Sequence, residues 1–457
     1  MRLRRVGSTW LQTIKGGGVV QAGLHRRWEY EAPVAGPKLE LDGITDATLA
    51  RVFASRHLRE RLRPVFATRI SRSVRLIELA PGTTVEASID RGEIRAGGQS
   101  EPVREIELEL KSGDAARLYE HGLRLLAVAP VRVENRSKAE RGYALARPQQ
   151  SKPVKSTRVA IVATMRVGEA FRAIASGALG QLQANEPGMR AGHDPEYLHQ
   201  MRVALRRLRS GFRVFAPALP EAASAPIVED LRWLARALGP ARDWNVFTSE
   251  TMPSVVAAFA GHAGVAQFAE GCARKEREAV RRARRAVGSV RYQRMLLRLG
   301  VWLTREAWRD AAEPSMLQRL DGTVTEFAVA VLDECHAAVT KRARHLERQS
   351  AAQLHRLRIA IKKLRYSMDF FGALFPPGEV SSTLSCLESL QDVLGAMNDG
   401  ATAGQLAREV LGEGQGQVTS EAYGIVIGWG RGRAATLRDQ LSKAWRAYCD
   451  CGRCWRS

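Results

Sequence analysis

The chain has no run of about 20 consecutive apolar residues, the length a helix needs to cross a bilayer, so no membrane-spanning helix is expected. No apolar stretch follows the basic opening MRLRRVGSTW either. That argues against a secretory leader and makes the cytoplasm the expected compartment. Cysteine is scarce, 6 in 457 residues, too few and too scattered for a disulfide framework. Three of them, Cys449, Cys451 and Cys454, crowd the end of the chain as C-x-C-x-x-C with no fourth thiol or imidazole beside them. A frayed, redox-exposed tail is expected there rather than a zinc site. Aromatics make up only 6%, little material for stacking nucleic-acid bases. Acid is short as well: 48 Asp and Glu face 70 Lys and Arg, a net charge of +22. Such a field draws polyanions, whether nucleic acid, polyphosphate or an anionic membrane surface.

What is present divides the chain in two. Hydrophobic residues are 45%, normal for a globular protein, and the length suggests two or three domains. Up to Ala146, Pro and Gly punctuate short segments such as TWLQTIKGGG, HRRWEYEAP and REIELELKSG. In the last, Ile106, Leu108 and Leu110 alternate with Glu105, Glu107, Glu109 and Lys111, the period of a strand with one apolar and one charged face. Helices are expected near Thr45–Leu62 and Asp114–Ala127, within an antiparallel α+β architecture. ARPQQSKPVKST has the composition of a linker. Beyond it the 3.6-residue period is almost continuous, including an Arg-rich segment from Ala273 to Leu299 that reads as a solvated linking helix. The boundaries read from this are a first domain over 1–146, a linker over 147–157, an all-α domain over 158–446 and a tail over 447–457.

Within the helical part, LHQMRVALRRLRSGFRVFAPALP (Leu198–Pro220) recurs as LHRLRIAIKKLRYSMDFFGALFP (Leu354–Pro376). The offset, 355 less 199 or 156 residues, persists without a gap. It pairs Leu231, Leu234, Leu238, Gly239 and Asp243 with Leu387, Leu390, Leu394, Gly395 and Asp399. At 100° per residue, Leu198, Met201, Leu205, Leu208, Phe212 and Phe215 form one apolar stripe. His199, Arg202, Arg206, Arg209 and Arg213 form an adjacent basic one. The second copy has Leu354, Leu357, Ile361, Leu364, Met368 and Phe371 beside His355, Arg358, Lys362 and Arg365, and Asp369 stands where the first copy has Arg213. Like charges three and four residues apart repel. A solvated face explains one such row, but a duplicated pair suggests one polyanion held between two related halves. Each histidine sits among guanidinium groups, which disfavour its protonation.

The duplicated helix, each copy followed by L-x-x-x-L-G and an aspartate, resembles the CHAD family of histidine-bearing helical domains, over about Thr157 to Trp445. The resemblance implies duplicated antiparallel four-helix bundles about a pseudo-twofold axis, with basic residues lining a central surface that binds inorganic polyphosphate. It nominates His199, Arg202, Arg206, Arg207 and Arg209, and His355, Arg358, Lys362, Lys363 and Arg365. The first part resembles the CYTH family, an antiparallel β-tunnel that grips triphosphate, on RLRRVG, WLQTIKGG, HRRWEYE, EIELELKSG and SKAERGY. This implies Arg2, Arg4, Lys15, Arg27, Arg69, Arg72, Lys138 and Arg141 as triphosphate contacts. Glu29, Glu107 and Glu109 are implied as ligands of Mg²⁺ or Mn²⁺. The family's E-x-E-x-K strand precedes the RLRR strand and is absent here, so an incomplete tunnel with an exposed edge is expected. A tunnel domain followed by a CHAD domain resembles bacterial inorganic triphosphatases.

Three readings follow: a polyphosphate-binding protein, with association with polyphosphate granules as a corollary; a metal-dependent triphosphatase; and a nucleic-acid-binding protein. The basic stripes carry no interleaved aromatics and no DNA-binding spacing is present, which places the third last.

Overall fold

The computed structural model describes residues 1–148, 151–192, 194–411 and 417–456, and the side chain of Asp399 lies outside that description. The chain forms two compact units, Met1–Ser151 and Lys152–Ser457.

In the first unit β1 (Arg2–Val6), β2 (Thr9–Gln21) and β3 (Leu24–Val34) form one antiparallel sheet. The helices α1 (Ala47–Phe53) and α2 (Arg56–Arg61) follow, capped by Asp46 and Ser55. Then β4 (Ala67–Ala80), β5 (Thr83–Ala96) and β6 (Gln99–Ser112) make a second antiparallel sheet, followed by α3 (Ala116–Val128) and α4 (Lys138–Ala146). Alternation decides which face is which. Ile14 lies opposite Tyr30 and packs with it on Ile44, Phe53, Leu49 and Leu58. The neighbouring pairs Thr13–Glu31 and Lys15–Glu29 must then occupy the other face. In the second sheet Arg72, Asp90 and Glu105 lie abreast, and Ser88 and Glu107 are the next rung. Gly92 on β5 has φ +159°, and a Cβ there would lie 1.9 Å from the Arg69 carbonyl oxygen, so that strand approaches β4 only with glycine at this point. The Tyr119 hydroxyl donates to Gln21 O at 2.5 Å and the Gly23 amide to Asn135 Oδ1 at 2.7 Å, tying the first sheet to the segments that follow the second. Helix α4 was not expected from hydrophobic period. Its signal is the capping box of Ser137 and Glu140.

The second unit is helical: α5 (Val167–Ala191), α6 (Pro195–Val214), α7 (Glu221–Val246), α8 (Met252–Ala258), α9 (Ala263–Val287), α10 (Val290–Arg305), α11 (Pro314–Asp321), α12 (Val324–Arg342), α13 (Ala351–Phe371), α14 (Pro377–Leu411) and α15 (Gln417–Asp450). Successive helices α5, α6, α7 and α9 pack into one bundle, and α12 to α15 into a second. The apolar stripes of α6 and α13 are buried throughout. Phe215 and Phe371, partners in the sequence repeat, touch each other with ring centroids 5.6 Å apart. Contact between repeat counterparts is what a local twofold axis passing between them requires. The Ala273–Leu299 segment differs from its expectation: it is parts of two helices, broken at Gly288 where Ser289 caps α10. No helix of the described residues is long and apolar enough to cross a membrane.

The C-terminal tail is also docked rather than frayed. Trp455 is buried and donates to Asp333 on α12 at 2.9 Å, and the Cys451 sulfur packs against Cys386 on α14. Among the described residues the C-terminal thiols do not gather into a metal-binding group. Close packing within the first bundle gives a first test. A Cβ on Gly188 of α5 would lie 2.2 Å from the Tyr197 ring of α6. Gly188→Ala is expected to destabilise the chain by about 2 kcal/mol, read as a lower urea midpoint at unchanged slope. An unchanged midpoint would contradict this packing.

Candidate functional site

Helix α6 starts at the cap Asp194 with Pro195 in its first turn, which sets the phase of everything after it. Its basic stripe flanks the buried one, and α6 packs against α13. The two rows meet at Tyr366: the Arg206 guanidinium lies 5.9 Å and the Arg365 guanidinium 4.8 Å from the centre of that one ring. The Arg206 Nε is buried without a hydrogen-bond partner among the described residues. A buried N–H donor left in that state is costly unless an acceptor arrives. Arg202 stands 3.7 Å from Asp243, and burial lowers its pKa against that carboxylate. Burial also lowers the pKa of Arg209, helped by Arg213, Arg232 and Arg236. In the second row Arg365 donates to Gln391 at 2.9 Å and lies 3.6 Å from Glu388, while His355 is 3.1 Å from Asn398. Arg358 and Lys362 are half-buried between them.

One nominated pair stands apart. Arg207 is buried, ion-paired with Asp369 across the α6–α13 contact and set over Phe370. Lys363, its counterpart, pairs with Glu334 on α12 at 3.2 Å. The physical reason is phase: one residue beyond Arg206 is 100° around the helix, off the stripe. Conversely, α7 brings up Arg242 beside His199, and Arg232 and Arg236 beside Arg209. Sequence periodicity shows these as ordinary surface cations, and only helix packing places them in the site.

Burial, and next the charge on Arg242, hold the His199 imidazole below its ordinary 6.5. As pH falls through 6.5 the unfolded chain therefore takes the proton first, and acid destabilises the free protein. A bound polyanion reverses the Coulomb effect and raises that pKa. Polyphosphate affinity is expected to rise as pH falls from about 7 to about 5, with proton uptake that His199→Gln reduces. Calorimetry in buffers of different ionisation enthalpy checks it, and uptake unaffected by the substitution would contradict it.

In the first unit the charged faces of the two sheets look at each other, since the charges near Arg2 include Arg4, Glu29, Glu31 and Arg72. Arg4 meets both oxygens of Glu31 at 3.2 and 3.0 Å, and Lys15 meets Glu29 at 2.7 Å. Arg27 follows the same alternation two residues before Glu29 and is exposed. Arg69 does not join: an odd number of residues from Arg72 along β4, it lies on the opposite face, opposite Glu93.

Asp90, Glu105 and Glu107 each place an oxygen within 4.8 Å of the others. Of the nominated carboxylates only Glu107 belongs to this group. Glu29 is held by Lys15, and Glu109 by Lys111 at 2.7 Å. Asp90, fully buried, carried no sequence signal, because only strand register brings it to β6. Arg72 donates to both Asp90 oxygens, at 2.7 and 2.6 Å. Although burial opposes ionisation, hydrogen bonds from Arg72 and Lys138 hold the Asp90 carboxyl below its usual range. The Lys138 ammonium lies among all three, 2.7 Å from Asp90, 2.8 Å from Glu107 and bonded to Glu105. Arg141 joins from α4, 2.9 Å from Glu105. Carboxylate oxygens are the donor set of a hard divalent cation, so these three residues could hold one in place of the Lys138 ammonium.

Comparison with known proteins agrees with this division. The CHAD domain model matches residues 173–408 and the CYTH domain model residues 1–143. An inorganic triphosphatase of Haemophilus influenzae is 33% identical over 150 residues, 33% of this chain and 41% of that protein. An uncharacterised Mycobacterium tuberculosis protein is 25% identical over 253 residues, 54% of this chain and 47% of that one. The chain thus spans about half, or less, of the curated relatives it matches. The crystal structure of the CHAD domain from the plant Ricinus communis superposes with a TM-score of 0.57 at 31% identity, covering 65% of this chain and 98% of that domain. With its doubled basic helix, its repeat-related bundles and these matches, the chain belongs to the CHAD family and carries a CYTH domain ahead of its CHAD domain.

Proposed function

We propose that the helical unit binds inorganic polyphosphate between the stripes of α6 and α13. The observation that carries this reading is the meeting of Arg206 and Arg365 over Tyr366. Cations from both halves face one place, and anions that neutralise them relieve their mutual repulsion. Guanidinium forks match phosphate oxygens bidentately. Binding displaces counterions, so affinity falls steeply with salt. The ligands in this reading are His199, Arg202, Arg206, Arg209, His355, Arg358, Lys362 and Arg365, with Arg242 added from α7. The test is titration of the intact chain with long-chain polyphosphate at low and moderate salt. Binding that weakens with salt and is not displaced by duplex DNA at equal phosphate supports the reading. DNA displacing polyphosphate would favour a nucleic-acid protein instead.

The acidic cluster favours a second reading for the first unit: a site for triphosphate with a divalent cation, as in the inorganic triphosphatases it resembles. Asp90, Glu105 and Glu107 would hold the cation, and Arg2, Arg4, Lys15 and Arg72 would face the phosphates. When bound, the cation supplies Lewis-acid polarisation of a phosphate oxygen. Glu107→Gln is expected to weaken Mn²⁺ binding by at least about tenfold, followed by the paramagnetic resonance of free Mn²⁺. Equal Mn²⁺ affinity in the variant would remove the cluster from this role.

A further inference from the structure

Resting on the polyphosphate reading, we infer that the first half alone extends the anion track, from α6 over α7 onto α10, so that polyphosphate lies asymmetrically across the two repeats. The repeat itself provides the contrast. At an offset of 156, Arg232, Arg236 and Arg242 of α7 correspond to Glu388, Asp392 and Asn398 of α14. The basic stripes were duplicated with most of their cations, whereas the helix beside each stripe kept its apolar pattern and not its cations.

The consequence is visible in the contacts. In the second half Arg365 is held by Gln391 and Glu388, and His355 by Asn398, so α14 answers its own stripe. In the first half the charged groups facing Arg209 are Arg213, Arg232 and Arg236, all of its own sign. From there further cations lie toward α10. Arg236 and Arg232 share Glu229 at 2.7 and 3.8 Å, and the Arg291 guanidinium of α10 lies 4.5 Å over the ring of Trp233. Arg291 and Arg298 reach the same Asp230 at 3.8 and 3.4 Å. Two carboxylates thus order the patch without neutralising it. Arg232 and Arg236 are 55% and 66% exposed, so the arginines are open to a ligand. A linear chain of phosphates anchored between the stripes would leave along this side, where it meets guanidinium groups, and not along α14, where it meets carboxylates.

The experiment replaces Arg232 by Glu and Arg236 by Asp, the residue types found at the matching positions of the second half. The intact variant and parent are titrated with tripolyphosphate and with long-chain polyphosphate over a range of salt, with melting curves to confirm folding. Long-chain affinity is expected to fall at least tenfold, and the salt slope to decrease by about two, while tripolyphosphate affinity falls by a clearly smaller factor. The converse pair, Glu388→Arg with Asp392→Arg, is expected to raise long-chain affinity. Unchanged long-chain affinity in the first variant, with loss in His199→Ala/Arg202→Ala/Arg206→Ala, would overturn the extension and leave the central site standing. An equal fall for both ligands would also overturn it. Failure of the parent chain to bind long-chain polyphosphate would remove the underlying reading itself.

Discussion

Alanine at His199, Arg202, Arg206, His355, Arg358 and Lys362 together is expected to abolish polyphosphate binding at low salt while the chain still melts cooperatively near the parent temperature. The expectation rests on how the two stripes divide the labour on each helix. Leu205, Leu208, Ile361 and Leu364, which carry the packing, are untouched and at most 2% exposed. The six substituted residues lie on the neighbouring face, where several of their contacts are repulsive: Arg202 feels Arg206, Arg242 and Arg209. Removing like charges relieves a few tenths of a kcal/mol per pair, and alanine is the best helix former. Equilibrium titration and a thermal melt on the same sample check both halves of the claim. Retained binding would show that the anion is held elsewhere.

The second large effect is on stability. Arg207→Leu is expected to cost about 3 kcal/mol or more, because it leaves Asp369 as an uncompensated charge in a largely buried contact. Asp369 is 20% exposed and Arg207 7%. The double change Arg207→Leu, Asp369→Leu is expected to recover most of that loss, since a well-packed apolar pair replaces a buried ion pair at little cost. Urea denaturation of the two variants reads the difference. Equal losses in both would mean that the pair's packing, and not its charge, matters. The pair also marks a break in the twofold. Its repeat-related equivalent would set Lys363 against Arg213, two cations, and Lys363 turns instead to Glu334.

How much of this was legible before the structure depends on the length scale of each signal. Helical phase places the buried and basic stripes of α6 and α13 correctly because both depend only on residues three and four apart. Phase also separates Arg207 and Lys363 from the stripe, and only transfer by family position brought them into it. The two-domain order was legible from the change of period near Ala146. What was lost is what packing alone decides. Asp90 and Glu105 meet Glu107 through strand register, a relation between segments with no local mark. Arg232, Arg236 and Arg242 reach the stripe through the α6–α7 contact. Arg69 and Arg72 look equivalent as a basic pair, yet strand alternation sends them to opposite faces. The break at Gly288 was hidden because Arg-rich helical composition continues on both sides of it.

The claim that one polyanion is held jointly by both repeats is tested most directly by calorimetric titration of the intact chain with tripolyphosphate, alone and after Arg206→Ala, Arg365→Ala and both. The account predicts one binding event per chain in the CHAD domain, weakened by either substitution, with the double change costing less than the sum of the two because both guanidinium groups serve the same phosphates. Two independent events, each sensitive to only one of the substitutions, would contradict it.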